Sequence, residues 1–358
     1  MSENFKHYDW SKTFSYNAFI TIVIGAKNYG KTFGIRCQFI RDYIKSNGRD
    51  KFVDISRYSS SIPDVACSYF TAIEENINEF SDYMFKVEKN VAYISIKQDE
   101  PEWGILGYFV ALTDLEKIKR RTWNNIRRVC FDEFMLERSM NEYARYLKNE
   151  NNLLIQVLAA LDRRKDGNKS NMHVYLLGNK CDLTNPHLYA LGIRSEPKAG
   201  YSWYRNKLVL LHNVVDVEYS NEMRQTNLGK LAAMQEGNEY MFGDGYVGAG
   251  EYKCEKKTSN ARFIFGIKFS QFKFGVWFDD VTLIWYINEQ FPKANINLQN
   301  TPIYVLTHED NTIDVVAARR STPLLKKLVD LYYSDRLRYS SPACRNIFMD
   351  TLSLLGVR

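Results

Sequence analysis

The chain has 358 residues, 45% of them hydrophobic, which is room for two domains with cores of their own. No apolar run approaches a bilayer span and the start, MSENFKHYDW, has no signal-peptide core, so neither a transmembrane helix nor a secretory leader is expected. Of the net charge of +6, +4 falls from Glu251 onward, where fifteen Lys and Arg face eleven Asp and Glu; this points to a polyanion such as nucleic acid, with a plain solvated surface as the other reading.

In chain order, Ile20-Thr21-Ile22-Val23-Ile24 reads as a buried parallel strand, and Phe33 to Ile44 has apolar residues at helical spacing. Between them lies GAKNYGKT, Gly25 to Thr32. Strand, GxxxxGKT, helix is the setting of a phosphate-binding loop. Gly25 and Gly30 stand at the bends, and Ala26, Lys27, Asn28 and Tyr29 form the loop whose backbone N–H groups would face a phosphate. Lys31 is placed to reach the β- and γ-phosphates and Thr32 to ligate magnesium, with the helix N-terminus adding its positive end. A plain glycine turn is the bland alternative.

Further strands are expected at Phe52–Ile55, Val91–Ile96, Tyr108–Leu112, Arg128–Phe131, Met172–Leu177 and Leu208–Leu211, with an aromatic, weakly patterned stretch after the first and a helix near Leu153–Leu161. This is the α/β pattern of a covered, mostly parallel sheet. Glu218 to Met234 reads as helical and polar, and GNEYMFGDGYVGAGEY, with five glycines in sixteen residues, as a joint. Beyond it, aromatic strands are expected at Arg262–Phe269, Phe272–Phe278 and Val281–Ile287, then a strand at Ile303–Leu306 and helices near Pro323–Tyr333 and Cys344–Leu355. That order indicates a separate α+β domain. Domains are therefore expected at 1–218, 219–250 (helical and glycine-rich linker) and 251–358. The six cysteines are scattered without a CxxC pair, and the five histidines form no metal-like cluster, which fits a reducing cytoplasm.

The second half of a nucleotide site is expected at Val129-Cys130-Phe131-Asp132-Glu133, with Asp132 holding magnesium at a strand tip. Glu133, one residue on, is placed to polarise a water for in-line attack on the γ-phosphate. Leu177-Gly178-Asn179-Lys180-Cys181-Asp182 contains NKCD, which matches a guanine-recognition pattern, but Asp132-Glu133-Phe134-Met135 lacks the glycine of the matching DxxG. Asn179 is read instead as a polar sensor close to the phosphate, with a GTP-binding switch as the minority reading. Basic clusters flank the acidic strand: Lys117, Lys119, Arg120 and Arg121 before it, Arg163 and Arg164 after it. Arg163 or Arg164 is a candidate finger acting on a neighbouring subunit, and Lys117 a second such contact. Lys119, Arg120 and Arg121 are candidates for DNA phosphates. Solvated helix ends are the bland reading of each.

GAKNYGKT, VCFDEF, LGNKCDLTNP, FKFGVWFDD and LRYSSPACRNI together resemble the DNA-packaging ATPases of small podoviruses, the φ29-like type. The resemblance implies an additional-strand, conserved-glutamate P-loop ATPase domain and a C-terminal domain with a degenerate ribonuclease-H-like fold. It implies ATP and Mg2+ as cofactors, with Lys31 and Thr32 on phosphate and magnesium, Asp132 on the metal, Glu133 on the water and Asn179 at the polar position after the next strand. It implies a homopentameric ring at the portal vertex of a procapsid in the host cytoplasm, threading double-stranded DNA inward, with a structural packaging RNA as a further partner. The family's arginine falls on Asp162, Arg163 or Arg164, so the finger is not fixed. A terminase-like nuclease is the alternative enzyme. Asp279 and Asp280 are adjacent, but Glu289, Asp310 and Asp314 show no convergence, so no cleavage is expected.

Overall fold

A computed structural model of the chain describes residues 8–136, 146–147, 149–162, 171–181, 185–193, 196–234, 242, 254–269, 272–289, 292, 301–306, 315–319 and 321–356. The chain divides into two compact units, Met1–Gly248 and Ala249–Arg358.

The first unit is built on nine strands: β1 Ile20–Gly25, β2 Lys51–Ser56, β3 Tyr83–Glu88, β4 Val91–Ile96, β5 Gly104–Ala111, β6 Ile126–Phe131, β7 His173–Asn179, β8 Gly200–Tyr204 and β9 Val209–Asn213. They form one sheet in the order β3-β4-β5-β2-β6-β7-β1-β9-β8. The stretch from β5 to β9 is parallel throughout. Successive side chains on a strand point to opposite faces, so the apolar strands feed two cores. Ile22, Ile24, Val129, Phe131, Val174 and Leu176 pack with the helix Glu150–Leu161 on one face. Val23, Cys130, Tyr175 and Leu177 pack with the helix Lys31–Lys45 on the other.

The sheet is mostly parallel, as expected, and antiparallel at its two edges. β3 and β4 attach to β5 as an antiparallel hairpin, and β8 pairs antiparallel with β9. Both terminal strands are partly exposed, with Lys86 and Glu88 in β3 and Ser202 and Trp203 in β8. An edge strand covered on one side lacks the continuous apolar run that marks a buried parallel one, so neither was expected. The aromatic stretch after β2 folds into the helices Ile62–Ser68 and Thr71–Asn76, which set Tyr69 and Phe70 into the second core. The polar helical stretch is two helices, Val217–Gln225 and Asn227–Ala233, broken at Thr226, whose side chain caps the second.

The second unit carries β10 Arg262–Phe269, β11 Phe272–Phe278, β12 Trp285–Asn288, β13 Ile303–Val305, β14 Val316–Ala317 and β15 Leu337–Tyr339, in the order β14-β13-β10-β11-β12-β15. β10, β11 and β12 form the antiparallel meander; β13 runs parallel to β10, β14 to β13 and β15 to β12. This mixed sheet fits the ribonuclease-H-like domain that the resemblance implied. Its core joins Phe265, Ile267, Phe274 and Val276 to Leu325, Leu328, Phe348 and Leu352, the last four from the helices Pro323–Tyr333 and Pro342–Leu354. The third strand starts four residues later than expected. Asp279 Oδ1 accepts from the N–H groups of Val281 and Thr282 and Leu283 sits at φ +58°, so the chain turns over 280–282 and is not yet a strand at 283–284. Among the described residues no helix is long and apolar enough to cross a membrane.

Candidate nucleotide site

Parallel strands place all their C-terminal ends on one edge of the sheet, which is where an open α/β sheet builds its sites. The β1–β7 register puts Gly25 beside Asn179, and the β6–β7 register puts Phe131, the residue before Asp132, beside Leu176. Because β7 lies between β1 and β6, it separates the loop strand from the acid strand. Gly30 sits at φ +72° as the N-cap of the helix Lys31–Lys45, a conformation that costs a residue with a side chain more than it costs glycine. Gly178 fits a close approach: a Cβ there would lie 2.9 Å from Phe134 and Met135 atoms.

A cavity of about 440 Å³ opens at this edge, lined by the loop from Lys27 to Phe33, by Asp132, Glu133, Gly178 and Asn179, and by Ala72 and Asn76. Its size is that of a ligand pocket. The Lys31 ammonium donates to Ala26 O at 2.5 Å and to Asn179 Oδ1 at 3.2 Å. Lys31 is 6% exposed. Burial pushes its amine down to about 8, against the upward pull of the Asp132 and Cys181 charges. The Thr32 hydroxyl donates to Asp132 Oδ2 at 2.8 Å. One hydroxyl and one carboxylate in contact are hard oxygen donors, the set magnesium takes, and it keeps several waters besides. The residues present therefore fit a magnesium-bound phosphate.

Glu133 is exposed at the cavity wall with φ +51°, a left-handed backbone that a residue with a Cβ adopts only when its surroundings hold it there. Those surroundings are a buried polar cluster that sequence reading missed. The Arg57 guanidinium, beyond the end of β2, donates to Phe134 O at 3.0 Å and to Glu133 O at 3.5 Å. Glu150 clamps it at 2.9 and 3.1 Å, and His187 Nε2 meets Glu150 Oε1 at 3.2 Å. Asn185 Nδ2 also donates to Phe134 O, at 2.8 Å. Burial raises the Glu150 carboxyl, but hydrogen bonds from His187 and Arg57 outweigh it and hold the carboxyl below its usual range. A lone arginine after a strand and a glutamate opening a helix carry no sequence signal of this pairing. The Asn185-Pro186 step does, as a helix N-cap followed by proline.

The remaining expected site residues that the structure describes lie outside the cavity lining. Lys117 and Lys119 are on the short helix Leu115–Arg120, where they pair with Asp114 at 3.0 Å and Glu116 at 3.1 Å. Arg121 lies over the rings of Tyr108 and Trp123 at 4.4 and 4.8 Å, and Arg120 is exposed. Arg163 and Arg164 fall outside the described residues, as does Asp182 of the NKCD segment. In the second unit the Asp279 carboxylate is occupied by the Thr258 hydroxyl and the turn that follows it. Among the described residues no group of three acids, histidines or cysteines is placed to hold a metal.

A glycine-lysine loop on one strand, an acidic pair beyond another and an additional strand between them define a P-loop ATPase fold. The family profile of the podovirus DNA encapsidation protein (Gp16) matches residues 2–355. The chain belongs to that family. It is 24% identical to the DNA packaging protein of Bacillus phage phi29 over 342 residues, covering 95% of both chains. With the DNA packaging protein of Bacillus phage B103 it shares 24% over 346 residues, 96% of this chain and 99% of the other. Its fold is similar to that of a chain in the bacteriophage Phi-29 viral genome packaging motor assembly, with a TM-score of 0.73 and 22% identity over 98% of this chain and 99% of that one. The Phi-28 gp11 DNA packaging motor follows at 0.63 and 15%, over 98% of each chain.

Proposed function

We propose that this chain is an ATP-hydrolysing subunit of a viral DNA-packaging motor, which drives double-stranded DNA into a procapsid. One observation carries the reading: the Thr32–Asp132 contact at 2.8 Å joins two segments a hundred residues apart, with Lys31, Glu133 and Asn179 on the same cavity. In this reading Lys31 neutralises the β- and γ-phosphates, Thr32 and Asp132 hold magnesium, and Asn179 marks the γ-phosphate end beside the Lys31 ammonium. The Glu133 carboxylate orients the attacking water and takes its proton. When bound, magnesium neutralises charge developing between the phosphates.

Membership in the family and the relatives' names support a part in a packaging motor assembly; we propose that copies form a ring, a pentamer, at the portal vertex of a procapsid in the host cytoplasm. A packaging RNA belongs to the same proposal. Arg163, Arg164 and Lys117 are the candidates that complete a neighbour's site. Lys119, Arg120 and Arg121 are proposed for phosphate contacts, which suit a motor that must accept any sequence. The proposed division is an ATPase domain over 1–218, a linker over 219–250 and a docking domain over 251–358. The engaged Asp279 carboxylate supports a domain that does not cut DNA.

ATP turnover with and without duplex DNA and procapsids, in wild type, Lys31→Ala and Glu133→Gln, tests this reading. Glu133→Gln is expected to keep nucleotide binding and lose turnover by about 10²-fold or more. Lys31→Ala should lose both, and plasmid incubated with manganese should stay intact. Undiminished turnover in Lys31→Ala would discard the site.

A further inference from the structure

The outward side of the phosphate loop is held at three carbonyls by groups from elsewhere in the first unit. The Tyr219 hydroxyl donates to Lys27 O at 2.9 Å, the Tyr8 N–H to Tyr29 O at 2.9 Å, and the Trp10 indole N–H to Lys31 O at 3.1 Å. A peptide unit is planar and trans, so a carbonyl fixed on one side turns the next residue's N–H to the other. Those N–H groups belong to Asn28, Gly30 and Thr32, all of which line the cavity. Alternate carbonyls are thus anchored from outside, which is what an inward array of phosphate donors requires.

The Tyr219 anchor sits beside a further tie to the loop, through Asp216. Tyr29 hydroxyl donates to Asp216 Oδ2 at 2.6 Å, while Asp216 Oδ1 accepts from the Tyr219 N–H at 3.0 Å and so caps the helix Val217–Gln225. The rings of Tyr29 and Tyr219 meet edge to face, with centroids 4.7 Å apart. Tyr219 and Ser220 are the helix's buried residues; the Ser220 hydroxyl donates to Phe242 O, Arg224 lies over the Phe242 ring and Met223 packs against the second core, while Val217 is 66% exposed. A short surface helix with two buried residues opens at a lower free energy than the core helices do.

We propose that Tyr219 and Asp216 are positioning residues of the nucleotide site, which hold the loop's N–H groups in the phosphate-binding array and tie nucleotide occupancy to order in the helix Val217–Gln225. The inference rests on reading the loop as a triphosphate site. Linkage makes the effect reciprocal: if the anchored loop binds phosphate better, bound phosphate steadies the anchor.

The test uses the full chain with Tyr219→Phe, which keeps the ring and removes the hydroxyl, and Asp216→Asn, which keeps a capping oxygen and removes the charge. ADP–magnesium affinity, ATP turnover, and amide exchange across 217–225 with and without ADP–magnesium are measured. The dissociation constant and KM are expected to rise about three- to tenfold, as for loss of one or two hydrogen bonds, with kcat changed less than about twofold. In wild type, ADP–magnesium should slow exchange in the helix; in Tyr219→Phe it should not. Wild-type affinity in both variants, or a fall in kcat at constant KM, or nucleotide protection of the helix that persists in Tyr219→Phe, each overturns the proposal. Lys31→Ala separates the two levels. If it binds nucleotide as wild type does, the triphosphate reading itself fails. If it loses binding while Tyr219→Phe and Asp216→Asn bind normally, this inference alone fails.

Discussion

Lys31 is a buried cation whose amine burial has moved from its ordinary 10.5 to about 8. Between those values the unfolded chain holds a proton that the folded chain lacks, so the stability of the nucleotide-free protein rises with pH across that window. Below about pH 8 the folded chain bears the full cost of a desolvated charge. A bound triphosphate supplies the missing counter-charge and prefers the protonated amine. Nucleotide affinity should therefore be flat below about pH 8 and weaken above it, by at most about tenfold per pH unit. Titration calorimetry with ADP–magnesium from pH 7 to 10 checks this, with Lys31→Met as the control that should lose the slope. A wild-type affinity that stays constant to pH 10 would show that the amine does not meet phosphate.

At the level of elements, the helix Glu150–Leu161 is tied to the turn after β6 through one buried ion pair, Arg57–Glu150, whose side chains are 9% and 0% exposed. Removing one partner of such a pair leaves the other charge buried alone, which costs about 3–5 kcal/mol. Glu150→Ala should lower the free energy of unfolding by about that amount in urea titrations, and Glu150→Gln by less because it still accepts one hydrogen bond. No loss in Glu150→Ala would mean that solvent reaches Arg57. This pair also marks where sequence reading stopped. β1 and β7 were legible because two-sided burial writes a continuous apolar run, β6 because the short buried run Val129-Cys130-Phe131 ends on an acidic pair, and the loop because phosphate chemistry demands glycine, lysine and threonine at fixed spacing. Arg57, Glu150 and His187 lie up to 130 residues apart, and only folding brings them together. The partly exposed edge strands β3 and β8 and the loop anchors Tyr8, Trp10 and Tyr219 were hidden for the same reason: their roles depend on neighbours, not on period.

For the whole molecule, the open matter is whether one copy's site is complete. Lys117 has a side chain 81% exposed and an ion pair with Asp114. An exposed pair of this kind is worth about 0–1 kcal/mol, so a neighbour's phosphate can displace it with little loss. In a closed ring every site faces the same surface of the next copy, so one residue type serves all the sites from outside. Mixing two inactive variants separates action within a copy from action across a boundary. Lys117→Ala subunits keep Glu133, and Glu133→Gln subunits keep Lys117. If Lys117 completes the neighbour's site, an equal random mixture rebuilds a whole site at about one boundary in four, since each boundary draws its two copies independently. DNA-stimulated turnover should then recover to about a quarter of wild type if sites fire independently, and to less if the ring must act in strict order. If Lys117 serves its own copy, or only decorates the helix Leu115–Arg120, the mixture shows no activity beyond the sum of its parts.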